Sequence, residues 1–96
     1  MRGQIKFKFR LYIAGNTPNS AQALTNLTAI CRTHLANRHE IEIVDVFKEP
    51  ERALAENIFM TPTLVKVAPL PRIRIVGTLI QELIVLHALG LAGIPV

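Results

Sequence analysis

The groups able to do chemistry in this chain are few and do not converge. Thr17 and Ser20 lie in Gly15-Asn16-Thr17-Pro18-Asn19-Ser20, at the mouth of a long helical pattern. A hydroxyl there could act as the nucleophile or activating donor of a transferase or peroxidase. The same residues fit helix capping, with Pro18 at the first helical position, and capping is the reading adopted. Two cysteines at such a helix start would give disulfide exchange, because the helix end lowers a thiolate pKa. The chain has one, Cys31, which excludes an internal disulfide, a CxxC pair and a cysteine-based zinc site. Cys31 falls in an apolar helical stripe and reads as a small core residue. His34, His39 and His87 are far apart in sequence. The first two read as solvated groups near a helix C-terminus, where positive charge is tolerated; His87 reads as a packed or partly exposed imidazole. No metal site is read. Of seven carboxylates, Asp45 alone has apolar neighbours on both sides and reads as a loop anchor. Glu49, Glu51 and Glu56 read as a solvated helix face. Ala14-Gly15-Asn16 is a turn, not a phosphate loop. No catalytic residue and no cofactor follow.

The elements that would position these groups are legible. Gln4 to Ala14 reads as a strand, with Phe7, Phe9, Leu11 and Ile13 on one face and Lys6, Lys8, Arg10 and Tyr12 on the other. A helix is expected from Pro18 to Ala36, burying Leu24, Leu27, Ile30, Cys31 and Leu35 at 3, 4 spacing. Glu40 to Phe47 is a second strand, with Ile41, Ile43, Val44 and Val46 suggesting burial on both faces. Strand, long helix, strand makes these two parallel. A short helix, Pro50 to Asn57, points Leu54 and Ile58 inward. Thr63 to Val67 and Arg72 to Val76 form an antiparallel hairpin around Pro69-Leu70-Pro71, with Ile73 and Ile75 inward. Pro62 marks a strand boundary, since it removes a ladder donor, and Gly77 ends the hairpin. Thr78 and Gln81 have capping-box spacing ahead of a helix from Leu79 to Leu89, and Gly90 sits where a C′ glycine belongs. The order β-α-β-α-β-β-α is the thioredoxin-like topology: one mixed four-stranded sheet with helices on both faces. Fold alone does not give activity.

The totals agree with one domain spanning residues 1–96. Half the residues are hydrophobic, which implies unusually complete burial or apolar surface kept for a partner or for self-association. The net charge is +4, but the basic residues are scattered and do not form a nucleic-acid patch. The longest nearly apolar stretch, Leu83 to Val96, contains His87 and two glycines and falls short of the roughly 18–20 residues of a membrane span. A cytoplasmic protein without membrane or nucleic-acid partners is expected.

Three blocks resemble the KaiB family of circadian clock proteins: Leu11-Tyr12-Ile13-Ala14-Gly15-Asn16-Thr17-Pro18-Asn19-Ser20, Val44-Asp45-Val46-Phe47-Lys48-Glu49-Pro50, and Thr61-Pro62-Thr63-Leu64-Val65-Lys66-Val67 with Pro69 and Pro71 behind it. The resemblance covers residues 5–77. It implies a non-enzymatic regulator that binds the ring-shaped ATPase KaiC, in a complex that then sequesters KaiA. It also implies metamorphism: a tetrameric ground-state fold, and a monomer whose C-terminal half rearranges into the thioredoxin-like form that binds KaiC. Partner-binding residues are then expected at Arg10, Tyr12, Asn16, Asn19, Lys48 and Lys66. Fold-switch positions are expected at Pro62, Pro69, Pro71, Gly77, Ala88 and Gly90. The chain departs from the family after Gly77: Gly-Asp-Leu-Ser is replaced by Gly77-Thr78-Leu79-Ile80, and the end is apolar and short. Leu70 stands where typical members have a third consecutive proline. Ala88 and Gly90 align with a family Gly and Asp whose replacement favours the thioredoxin-like form, and Ala88 favours continuing helix. The thioredoxin-like monomer is therefore the expected form. Two other readings are a paralogue acting outside the clock, as a thioredoxin-like interaction, stress or chaperone-like module using its apolar last helix, and a transferase using Thr17 or Ser20.

Overall fold

The alternation of the first strand sets the frame. A computed structural model describes residues 5–91; the expected strand start at Gln4 and the apolar tail beyond Leu91 lie outside the described residues. The elements are β1 (Phe7–Ile13), α1 (Pro18–His34), β2 (His39–Asp45), α2 (Pro50–Ala55), β3 (Thr63–Ala68), β4 (Ile73–Val76) and α3 (Glu82–Ala88). They form one sheet of order β2-β1-β3-β4. β1 runs parallel to β2, with Phe7 opposite His39 and Ile13 opposite Asp45. β1 pairs antiparallel with β3, and β3 with β4. The fold is thioredoxin-like, as the element order implies.

Period-two alternation along β1 sorts its side chains between two layers. Phe7, Phe9 and Leu11 meet Ala23, Leu27, Ile30 and Cys31 of α1 and Val85 and Leu86 of α3 in one core. Tyr12 faces the other way and joins Val44, Val65, Ala53 and Ile58 in a smaller core under α2. The peptide bonds before Pro62, Pro69 and Pro71 are cis.

Several sequence expectations are corrected by one position. In α1 the buried stripe runs through Ser20, Ala23, Leu27, Ile30 and Cys31. Leu24, expected inside, is exposed, because Ala23 takes the place against the sheet. In α2, Ala53 is buried and Leu54 is 72% exposed. The helix stops at Ala55 because Asn57 turns left-handed, with φ of 60°. The Asn57 N–H then donates to the Leu54 carbonyl and the Ile58 N–H to the Ala53 carbonyl at 2.9 Å, a Schellman closure that brings Ile58 and Ala53 into contact. β2 is an edge strand, not one buried on both faces: Ile43 is exposed, Ile41 half-buried and Val44 alone fully covered. It ends at Asp45, and Phe47 lies beyond it in solvent.

The expected capping box at Thr78 is absent. The Thr78 carbonyl accepts a 2.7 Å hydrogen bond from Asn26 Nδ2 of α1, and Leu79 has φ of 64°, a conformation no right-handed helix continues through. α3 starts only at Glu82, with Gln81 at the N-cap. Burial of Leu79 in the α1–α3 core accompanies this twist. Gly90 ends the helix as expected, with φ of 76°. Its N–H donates to His87 and the Leu91 N–H to Leu86 at 2.7 Å, a second Schellman closure.

Candidate protein-interaction surface

The start of α1 is the first place to look for chemistry, and its groups are spoken for. Thr17 occupies the N-cap with extended backbone, but its hydroxyl does not cap the helix. It donates to Ser20 Oγ at 2.8 Å, and Ser20 Oγ also accepts from the Ala14 N–H at 3.1 Å. Ser20 is buried. The two hydroxyls thus close the β1–α1 turn on itself, and among the described residues neither hydrogen-bonds an imidazole or a carboxylate. Asp45 Oδ1 accepts from the Gly15 N–H at 3.3 Å and from the Phe47 N–H at 2.9 Å, which anchors two loops, as the sequence suggested. Cys31 is fully buried in the core, and burial pushes its thiol up to about 11. His34 meets Glu82 Oε2 through Nε2 at 2.9 Å. His39 Nδ1 meets the Leu35 carbonyl at 2.8 Å. Among the described residues no three potential metal ligands cluster.

What this end of the molecule does present is apolar surface. Phe47, Phe59 and Met60 are all exposed. With Ala14, Val46, Ile58 and Thr61 they line a shallow groove of about 190 Å³ beside the α1 start. Gly15 holds φ of 58°, and a Cβ on it would meet the Phe47 ring at 3.7 Å. Residue 15 therefore needs glycine for its backbone, while the ring lies close above it. Asn16, Asn19 and Lys48 are exposed around this end. Large exposed apolar side chains rimmed by polar ones mark recognition surfaces.

A charge web adjoins it on the α2 face. Glu42 of β2 accepts from Arg52 of α2 at 2.7 Å and from Arg10 of β1 at 3.1 Å. These hydrogen bonds, Arg52 first and Arg10 second, hold the Glu42 carboxyl down to about 2. Arg52 also reaches Glu49 at 3.3 Å. Glu56 faces Arg72 at 2.6 Å, Arg74 at 3.5 Å and Arg10 at 4.0 Å. Arg74 further donates to the carbonyls of Glu56 at 2.6 Å and Asn57 at 2.7 Å. The web ties α2 to β1, β2 and β4. Below it Lys8, Arg10, Glu40, Glu42 and Val67 border an open trough of about 540 Å³.

The six expected partner-binding residues do not form one surface. Asn16, Asn19 and Lys48 stand at the apolar end, and Arg10 is half-buried in the charge web. Tyr12 and Lys66 are 1% and 5% exposed, so neither can meet a partner without rearrangement. Tyr12 is covered because α2 lies over its face of β1. Lys66 shares the parity of Leu64 and turns toward the α1–α3 layer, where its ammonium sits 5.7 Å from the Phe7 ring centre, within cation–π range. Of the expected switch positions, Pro62 is buried and Pro71 exposed. The Gly77 N–H donates to the Pro62 carbonyl at 2.9 Å, and Ala88 closes α3 just before the Gly90 turn. Sequence reasoning missed Phe47, Phe59 and Met60, whose solvent position has no periodic signature. It also missed the partners of Arg72 and Arg74, although their outward direction was visible in the alternation.

The profile of the KaiB domain matches residues 10–91. The chain belongs to the KaiB family. It is 44% identical over 86 residues to circadian clock protein KaiB3 of Synechocystis, covering 90% of this chain and 82% of that one. It is also 44% identical over 82 residues to the circadian clock oscillator protein KaiB of Synechococcus elongatus, covering 85% and 80%. Among solved structures, the N-terminal domain of Synechococcus elongatus SasA superposes with a TM-score of 0.74 over 99% of this chain and 94% of that one, at 17% identity. Chloroplastic thioredoxin z gives 0.74 over 90% and 78%, also at 17%. At such identity the two likenesses speak for the fold alone. No helix among the described residues is long and apolar enough to cross a membrane.

Proposed function

We propose that this KaiB-family chain is a non-catalytic, clock-type regulator that docks a KaiC-like ATPase ring through its thioredoxin-like form, and that a KaiA-like protein joins the complex. The observation that carries the reading is the end of the molecule at the α1 start. Where a thioredoxin-like enzyme would hold its reactive thiols, Thr17 and Ser20 hydrogen-bond each other, and the surface beside them exposes Phe47, Phe59 and Met60. That combination suits binding and offers no nucleophile. Asn16, Asn19 and Lys48 supply polar contacts at the rim. In this arrangement docking needs no prior rearrangement of the C-terminal half, so family metamorphism would act on the population of the docking form.

The test is association with a purified KaiC-type ATPase, measured by biolayer interferometry. Wild type is expected to bind. Phe59→Glu should weaken binding at least about tenfold, which is the ~1.4 kcal/mol expected of one buried aromatic anchor. Its circular dichroism should be unchanged, because Phe59 supports no core. Absence of binding, or equal binding by Phe59→Glu and Met60→Glu, would overturn the reading.

A further inference from the structure

Lys66 is the only charged side chain buried among the described residues, at 5% exposure. Lysine is almost never buried unless it is paired, because taking an ammonium out of water costs free energy that an opposite charge must offset. No such charge is at hand. All seven side-chain carboxylates of the chain lie within the described residues, and none comes within 4.0 Å of Lys66. The ammonium instead sits 5.7 Å from the Phe7 ring centre.

A second cation uses the same ring. Arg38, in the turn between α1 and β2, places its guanidinium carbon 6.0 Å from the Phe7 centre, and it too has no carboxylate within 4.0 Å. Both distances are within cation–π range, but two like charges on one ring repel each other, so the ring does not offset them both. The negative end of α1 is already engaged: the Leu35 carbonyl accepts from the Arg38 N–H at 2.8 Å and meets His39 Nδ1 at 2.8 Å. The frame is fixed. The Phe7 N–H donates to the Arg38 carbonyl at 2.8 Å, Arg38 Nε donates to the Ile5 carbonyl at 3.2 Å, and Lys66 lies opposite Phe9 in the β1–β3 register. Three elements thus hold two uncompensated cations against one aromatic side chain. We propose that Lys66 and Arg38, with Phe7 between β3 and the α1–β2 turn, form a binding site for a phosphate group. Their two positive charges match the charge of −1.5 to −2 that a phosphate monoester carries near neutral pH, roughly as inorganic phosphate does. Guanidinium and ammonium are the two side-chain groups that bind it best. A buried lysine keeps its head toward water and covers its stem, so the little that stays open admits an ion and excludes a protein side chain. The site is at the start of β1, about 20 Å along the strand from the groove carrying Phe59, and does not depend on what docks there.

Titration of the isotope-labelled full chain with inorganic phosphate tests this by amide NMR, over about 0.1–50 mM, at fixed pH and with chloride exchanged to hold the ionic strength. Wild type should show saturable shifts at the amides of Phe7, Arg38 and Lys66 and at the Arg38 Nε–H. Lys66→Met and, separately, Arg38→Gln should each weaken binding at least about tenfold, with circular dichroism confirming that each is folded. Lys8→Gln removes an exposed cation next to Phe7 in sequence and should leave binding unchanged. Adenosine monophosphate in the same titration separates two sources of the group. Equal or weaker binding assigns the site to free phosphate, and tighter binding with further amides shifted assigns it to the phosphate of a nucleotide. Shifts that grow linearly without saturating overturn the proposal. So does binding that survives both Lys66→Met and Arg38→Gln, or that Lys8→Gln weakens as much as they do.

Discussion

Arg72, just before β4, and Arg74, within it, lie two residues apart and approach the same carboxylate, yet they should differ in worth. Arg72 meets only the Glu56 side chain, at 2.6 Å, with 43% of its own side chain exposed. Such a pair is worth about 0–1 kcal/mol. Arg74 is 3.5 Å from that carboxylate, but its guanidinium donates to the backbone carbonyls of Glu56 and Asn57 at 2.6 and 2.7 Å. These carbonyls end α2, where helices leave acceptors without partners and a cation is favoured. Hydrogen bonds from a charged donor contribute roughly 1.5–3 kcal/mol each when shielded. With the side chain 41% exposed, water replaces part of that, and we expect about 2 kcal/mol for Arg74→Ala. The corresponding loss for Arg72→Ala should be under about 1 kcal/mol. Urea unfolding followed by circular dichroism reads both, and an Arg74→Ala loss near 2 kcal/mol should lower Tm by about 8–16 °C in a domain of this size. Glu56→Gln supplies the internal control: it should nearly abolish the effect of Arg72→Ala and leave most of that of Arg74→Ala, because backbone carbonyls survive the substitution. Equal losses for the two arginines, or full dependence of the Arg74 loss on Glu56, would show that side-chain pairing and not helix-end docking holds α2.

Three further outcomes are expected. The Glu42 carboxyl has a folded pKa near 2, below its ordinary value of 4.5, so its stabilisation is present above about pH 4.5 and lost as pH falls toward 2. Glu42 is half exposed, so Glu42→Gln should remove no more than about 1 kcal/mol of this acid limb in pH-dependent unfolding curves. The Cys31 thiol, raised from 9.0 to about 11 by burial, should resist a thiol reagent in the native state and react on unfolding, and its stabilisation should fade as pH rises from about 9 to 11. Leu27→Ala, in the core, should cost about 2–5 kcal/mol, whereas Leu54→Ala should stay within about 0.5 kcal/mol, as thermal melts will show.

Element order, strand pairing and the Gly90 stop were legible because each depends on local pattern: alternation in β1, the 3, 4 spacing of α1, glycine after a helix. The misplaced residues share a physical cause. Ala23 and Leu24, like Ala53 and Leu54, are neighbours on one helix, and hydropathy favours the larger side chain as the buried one. The space between helix and sheet decided for alanine. Tyr12 belongs to the polar-facing parity of β1, and parity cannot reveal that a helix from elsewhere lies on that face. Lys66 is apolar along most of its length, and its stem and ammonium find the Phe7 ring only once β1 and β3 are paired. Thr78 satisfied the local rule for a cap, but Asn26, fifty-two residues earlier, captured its carbonyl. The exposed Phe47, Phe59 and Met60 carry no local signal, since nothing in their spacing separates a side chain kept for a partner from one that fills a core.

The sheet is held differently on its two sides. Toward α1 and α3, thirteen of the described residues are buried in one apolar cluster. Toward α2 there are five, and much of that helix's attachment passes through arginines and glutamates at the surface. Dissolved salt screens the second kind of attachment and strengthens the first when the anion is sulfate or phosphate. Ionic composition should therefore act on one layer at a time. Potassium chloride at moderate concentration would let the amides of α2 exchange with solvent while those of α1 stay protected, and sulfate would widen the gap in protection between the two layers. Any ligand or partner that grips α2 would be reading the layer whose order the surrounding electrolyte sets.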